Sequence, residues 1–224
     1  LHRAQCILCN SEATSREINC RLGIPIKNLV KIPLGFNPKN LKPLKLVREP
    51  FFLVLGRHDP HKNIQMILKS LKILPFKDMQ VWFVGPQDSR YTPKLRKLSI
   101  ELEIEHRCKW IPWVTDEERL MLLNRCQSLI IPSLWEGFGL PALEAMACDT
   151  PVIASNKGAL PEVVDNAGVF CNPMDSRSIA DAMGQIISDG LLRDKLVVNG
   201  RKRINKFTWK KCAQQVESVL NQLS

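Results

Sequence analysis

Along this chain, short unbroken apolar runs alternate with longer stretches in which apolar residues return every third or fourth position. The runs fall at Phe51–Leu55, Met79–Val84, Cys108–Trp113, Ser128–Ile131, Pro151–Ala154 and Gly168–Cys171. Their shortness and their Val, Ile, Phe and Trp content predict strands. Between them, Ile64, Ile67, Leu68, Leu71 and Leu74 fall on one helical face, as do Leu95, Leu98 and Leu102, and Leu120, Leu122 and Leu123. The last group comes after Thr115-Asp116-Glu117-Glu118, a capping box with Thr115 as N-cap and Glu118 three residues on. Continuously apolar strands are buried on both faces, and strands separated by helices pair in parallel. The pattern from residue 48 to residue 175 therefore predicts an α/β domain: a doubly wound parallel sheet of about six strands.

Outside that region the pattern changes. After Asp175 only helical periodicity remains, predicting helices over Ser176–Ser188, Leu191–Ile204 and Trp209–Leu223. The last of these carries Cys212, Val216, Val219, Leu220 and Leu223 on one stripe. Before residue 48 the sequence predicts a strand at Cys6–Cys9, a helix opening at Ser11 and a strand at Leu29–Ile32. Pro38, Pro43 and Pro50 lie among lysines and mark residues 37–50 as a linker, so residues 1–36 read as a remnant of a preceding domain. The opening Leu1-His2-Arg3, without Met or an apolar leader, fits a piece of a longer protein.

Composition narrows the class. With 45% hydrophobic and 24% charged residues the chain is an ordinary globular one, and no apolar run is long enough to cross a membrane. The net charge of +10 is uneven: residues 1–50 hold nine basic residues against three acids, and Arg193 to Lys211 eight against one. Such ends suit a polyanion, an anionic membrane surface or a phosphorylated substrate. The eight cysteines are scattered and mostly sit in apolar runs, as reduced, buried cysteines do in the cytoplasm, and Cys6 and Cys9 have no second pair at zinc spacing. The expected location is the cytoplasm, with the inner face of the membrane as a surface the basic ends can meet.

In an open parallel sheet, ligands bind beyond the carboxyl ends of the strands. After the first main strand comes Gly56-Arg57-His58-Asp59-Pro60-His61-Lys62-Asn63. Arg57 and Lys62 suit a diphosphate, one as a planar fork and the other as a point charge, and His58 and His61 lack a third metal ligand. After the fourth strand comes Glu136-Gly137-Phe138-Gly139-Leu140-Pro141-Ala142-Leu143-Glu144. Two glycines make a tight turn and Pro141 opens a helix, whose first N–H groups form an anion site. Glu136 in the loop and Glu144 one turn into the helix are suited to accept hydrogen bonds from sugar hydroxyls. There is no nicotinamide fingerprint and no phosphate-loop lysine after a glycine run.

Glu136-Gly137-Phe138-Gly139-Leu140-Pro141-x-x-Glu144 resembles the paired-glutamate motif of the GT4 family of retaining glycosyltransferases. Gly56-Arg57 with Lys62-Asn63 resembles that family's diphosphate-binding pair, and Trp113-Val114-Thr115-Asp116-Glu117-Glu118 its base-binding loop. Thr150–Ser155 and Gly158–Val164 resemble the strand and loop that come after the motif, and Asn10–Thr14 and Ile32–Asn37 the end of the family's first domain and its interdomain linker. The resemblance runs through nearly the whole chain in the family's order. It implies a GT-B fold, in which two Rossmann-like domains face each other, and makes this chain mainly the donor-binding half. Residues 1–36 would be the end of the acceptor domain, 37–50 the linker, 51–205 the nucleotide-sugar domain, and 206–224 a helix returning toward the acceptor domain.

The resemblance also implies roles for single residues. Glu144 would hold the ribose hydroxyls, while Glu136 and the backbone of Gly137, Phe138 and Gly139 would hold the sugar. Leu140 would contribute its N–H, Arg57 and Lys62 would neutralise the departing diphosphate, and the base would lie against Val114 with Asp116 or Arg119 nearby. The expected reaction is retaining transfer of a hexosyl group, mannosyl among them, from a GDP- or UDP-sugar to a carbohydrate or lipid-linked acceptor in polysaccharide or glycolipid synthesis. No cofactor and no metal are expected. The fragment alone should bind donor and transfer poorly.

Three other functions fit the residues less well. A nucleotide-sugar epimerase of the same fold would need acid–base residues in the cleft that this piece does not display. A basic nucleic-acid module would interleave cations with exposed aromatics, whereas the chain has a single Tyr and most Phe and Trp lie in strands, so nucleic acid is not an expected partner. A non-catalytic scaffold would have no use for Arg57, Lys62, Glu136 and Glu144 together.

Overall fold

The structure, a computed structural model, describes residues 4–38 and 40–223. Leu1, His2, Arg3, Lys39 and Ser224 lie outside the described residues, and with them the opening tripeptide and two of the nine basic residues in the first fifty.

The chain begins with a small parallel pair, β1 (Ile7–Cys9) and β2 (Leu29–Lys31), joined through α1 (Glu12–Leu22). Ser11 starts α1 by accepting a hydrogen bond from the Thr14 N–H, and Gly23, in the left-handed region at φ 65°, ends it. An extended segment then leads to the main sheet. Arg48 fastens that segment, donating to the carbonyls of Cys126 (2.5 Å) and Asp149 (2.7 Å).

Strands and helices then alternate: β3 (Phe51–Leu55), α2 (Ile64–Ile73), β4 (Gln80–Val84), α3 (Thr92–Glu101), β5 (Cys108–Ile111), α4 (Asp116–Arg125), β6 (Leu129–Ile131), α5 (Leu140–Ala147), β7 (Val152–Ser155), α6 (Leu160–Val164) and β8 (Gly168–Cys171). Three helices close the chain: α7 (Ser176–Ser188), α8 (Gly190–Ile204) and α9 (Trp209–Leu223). The six strands β3 to β8 are parallel and ordered β5-β4-β3-β6-β7-β8, the doubly wound sheet that the pattern predicts.

Side chains along a strand alternate between faces, and here each face has its own core. Phe51, Leu53, Leu129, Ile131, Val152 and Ala154 pack beneath α4, α5 and α6. Phe52, Val54, Val81, Phe83, Ile130 and Ile153 pack beneath α2, α3 and α7. The strand order reverses direction between β3 and β6, where Leu53 faces Leu129, and the loops leaving these two strands diverge to opposite sides of the sheet. That divergence opens the cleft.

Two edges depart from the pattern. β5 stops at Ile111, because Pro112 has no N–H to donate to a ladder, so Trp113 lies outside the strand and is 70% exposed. α9 has its expected apolar stripe, yet none of its residues is buried. Its first turn packs on the amino-terminal segment: a Cβ on Gly35 would lie 2.5 Å from Trp209, and the Phe36 N–H donates to the Phe207 carbonyl.

Candidate active site

The cleft floor is where two strand-to-helix turns meet without side chains. Gly56 follows β3 at φ 131°, and Gly85 follows β4 at φ 147°. A Cβ on Gly85 would fall 2.2 Å from the Gly56 carbonyl oxygen, so only glycine permits this approach. Beyond Gly56 the chain makes a single 3-10 turn over Pro60–Lys62 and ends in Asn63, left-handed at φ 58°. Asn63 is buried, and its Nδ2 donates to the carbonyls of Pro132 (3.0 Å) and Pro173 (2.8 Å). These bonds tie the loop after β3 to the end of β6 and aim Lys62 back over Gly56.

Lys62 and Glu136 meet there. Nζ lies 2.6 Å from Glu136 Oε1, and the two side chains are only 18% and 14% exposed. Ser133 donates to the same oxygen at 2.8 Å. The Glu136 backbone is held as well, its carbonyl accepting from the Ala159 N–H. Gly158 makes that contact possible, since a Cβ there would press to 2.7 Å on the Glu136 carbonyl oxygen. Gly139, at φ 103°, turns the chain into α5, and no side chain among the described residues caps that helix. Its amino terminus therefore presents backbone N–H groups and the positive end of the helix dipole at the cleft.

Glu144, one turn along α5, lines the same cleft as Lys62. Both its oxygens accept from Arg119 Nη1, at 3.0 and 3.1 Å, and Arg119 Nη2 reaches Asp116 at 3.0 Å. Burial pushes the Glu144 carboxyl above the usual carboxylate range, and Arg119 pulls it only partly back. A carboxylate offers about four lone-pair sites, so the two taken by Arg119 leave capacity for further donors.

The cleft bounded by these groups is about 360 Å³. Of the residues given catalytic or donor-binding roles from the sequence, Lys62, Val114, Arg119, Leu140 and Glu144 line it. Glu136 joins them through its ion pair with Lys62. Arg57 stands beside the cleft, 56% exposed, between Asp59 (3.3 Å) and Asp88 (3.2 Å). Asp116 reaches an adjoining hollow shared with Gly35 and Trp209. Gly137 and Gly139 shape the loop, and the Phe138 side chain points away, buried edge-on against Phe207. His58 is also structural: buried, Nδ1 at 2.9 Å from Thr92 Oγ1, its ring edge-on to Trp110.

Sequence reasoning missed Gly85, Ser133 and Asp88. Gly85 was visible as a glycine directly after a predicted strand, in the same place as Gly56. Ser133 and Asp88 carry no such signal, because each matters only through a partner that folding brings to it.

Residues 37–203 match the family described as glycosyl transferases group 1, and the chain belongs to that family. It is 28% identical to O-antigen chain mannosyltransferase B of Escherichia coli, over 96% of this chain and 60% of the relative. It is 31% identical to the MMP alpha-(1->4)-mannosyltransferase of Mycolicibacterium hassiacum, over 95% of this chain and 53% of the relative. The chain thus spans little more than half the length of these curated relatives. Among solved structures, sucrose-phosphate synthase from Thermosynechococcus elongatus superposes with a TM-score of 0.86 at 29% identity, over all of this chain and 59% of that one. Anabaena Alr3699/HepE, solved in complex with UDP and glucose, superposes with a TM-score of 0.86 at 22% identity, over 97% of this chain and 63% of that one. The fold is the GT-B glycosyltransferase half expected from the resemblance.

Proposed function

We propose that this cleft binds a nucleotide-diphosphate sugar and that the whole protein transfers its hexosyl group, mannosyl first among the candidates, to a carbohydrate or lipid-linked acceptor. The observation that carries the reading is that Lys62, paired with Glu136, and Glu144 line one cleft together with the uncapped amino terminus of α5. Two relatives named as mannosyltransferases support the sugar. A similarly folded protein named as holding UDP and glucose supports the donor class.

In this reading Glu144 accepts from the ribose hydroxyls and the base lies against Val114, with Arg119 and Asp116 at its edge. The diphosphate lies between Arg57, Lys62 and the N–H groups of Gly139 and Leu140. These groups stabilise the negative charge that grows as the bond from the sugar C1 to the phosphate oxygen breaks. The backbone of Gly137, Phe138 and Gly139, with Glu136, orients the sugar. The acceptor oxygen forms its bond to C1 on the face that the phosphate leaves, and the leaving phosphate oxygen takes the acceptor proton, so configuration is retained. Charge neutralisation comes from protein groups, without a cofactor.

The same reading divides the chain into the end of an acceptor domain (1–36), a linker (37–50), the donor domain (51–205) and a returning helix (206–224). It places the reaction on the cytoplasmic side, near acceptors held at a membrane. No helix among the described residues is long and apolar enough to cross one.

Calorimetric titration of the chain with GDP, UDP and ADP tests the reading. One nucleotide should bind, and Glu144→Ala should weaken it about 10- to 100-fold, as expected for hydrogen bonds to a charged group of about 1.5–3 kcal/mol. Failure of all three at millimolar concentration, or indifference to Glu144→Ala, contradicts it.

A further inference from the structure

Arg57 is a long, half-exposed side chain, and left to itself it would sample many rotamers. It does not stand alone. Asp88, whose side chain is 3% exposed, accepts from Arg57 Nη2 at 3.2 Å. Asp88 is itself fixed from several sides. Its Oδ1 accepts from the Arg90 N–H (2.9 Å) and Arg90 Nε (3.2 Å), and its Oδ2 from Arg90 Nη2 (3.0 Å). Its backbone carbonyl accepts from the N–H groups of Tyr91 and Thr92 at the start of α3. Its own N–H donates to Thr92 Oγ1, which the buried His58 meets from the other side. Tied to Arg90 and Arg57, the carboxyl is held far below the usual carboxylate range and stays ionised at neutral pH.

We infer that Asp88 is a positioning residue: from the loop after β4 it holds the Arg57 guanidinium, on the loop after β3, at the place where the diphosphate is bound. The inference rests on the donor-binding reading above. Of the five guanidinium N–H groups, one faces Asp59 and one faces Asp88. Three remain for an anion. The side-chain freedom that Arg57 would lose on binding is already spent in the folded chain, which is the general route by which preorganisation raises affinity.

The test is a double-mutant cycle read by calorimetry with the nucleoside diphosphate that the chain binds. Asp88→Asn keeps the shape of the side chain but turns an N–H toward the guanidinium; it should weaken the diphosphate about five-fold. In an Arg57→Ala background the same change should alter affinity by less than about two-fold, because its effect passes through Arg57. Arg90 shares the carboxylate without facing the anion; Arg90→Ala removes only its guanidinium bonds and leaves Asp88 held by the Arg90 N–H, the Thr92 hydroxyl and its own backbone carbonyl, so it should stay within about two-fold of the parent. Circular dichroism confirms folding of each variant. Equal weakening by Asp88→Asn with and without Arg57, or comparable weakening by Arg90→Ala, makes Asp88 a mere loop staple and overturns the inference. Unchanged or tighter binding in Asp88→Asn overturns it too. If the parent chain binds no nucleoside diphosphate, the donor-binding reading falls and this inference falls with it.

Discussion

Replacing Lys62 by Met should cost more stability than an ordinary surface-charge change. The stem is retained, so the perturbation is the loss of a charge 2.6 Å from Glu136 in a site where neither side chain exceeds 18% exposure. At an effective dielectric constant near 20 the direct attraction is about 6 kcal/mol, most of it offset by the desolvation of both groups. What the variant leaves behind decides the result: a carboxylate 14% exposed, with the Ser133 hydroxyl still donating to it at 2.8 Å. Removing one partner of a fully buried pair costs about 3–5 kcal/mol, and the open side of the cleft reduces this to about 2 kcal/mol. Adding Glu136→Gln removes the stranded charge and should restore about half of the loss. Urea denaturation of the parent, both single variants and the double variant reads these values directly. At this size, about 2 kcal/mol corresponds to a Tm change of roughly 4–8 °C. A Lys62→Met variant within about 0.5 kcal/mol of the parent, with no coupling to Glu136, refutes the reasoning.

Three other outcomes rest on particular contacts. Gly85→Ala drives a Cβ to 2.2 Å from the Gly56 carbonyl at a φ that disfavours Ala, and should destabilise the chain by about 3 kcal/mol in denaturant unfolding. Because the Glu144 carboxyl is raised by burial, affinity for a nucleotide sugar should begin to fall, as pH drops, above the value of about 4.3 typical of Glu. Glu144→Gln should flatten that calorimetric profile. His58 is pushed below its usual value, first by burial and then by Arg96, so the unfolded chain binds its proton more readily. Stability should therefore be full above about pH 6.5 and decline as pH falls below it, and His58→Gln should reduce that decline in paired Tm series at pH 7.5 and 5.5.

What the sequence could reveal was decided by the range of each interaction. The capping box of Thr115 and Glu118 is complete within four residues, and it forms as the residues predict. The six strands were legible because each is an apolar run bounded by helical periodicity, and handedness rules leave few ways to arrange them. The glycine turn and the opening of α5 at Leu140 were legible for the same local reason. The pairings inside the cleft were not. Lys62 finds Glu136 across 74 positions, and Arg57 finds Asp88 across 31, and nothing near either residue announces the partner. Nor does the glycine loop reveal which way Phe138 turns, because that depends on Phe207 in the distant segment between α8 and α9. The end of β5 could have been read from Pro112 alone.

The most direct test of the central claim is a crystal structure of this chain with the nucleotide sugar that binds most tightly in calorimetry. The account predicts ribose hydroxyls within hydrogen-bond distance of Glu144, the diphosphate between Arg57, Lys62 and the α5 amino terminus, and the sugar beside Glu136. A nucleotide bound elsewhere on the chain, or in this cleft with its diphosphate away from Arg57 and Lys62, contradicts it.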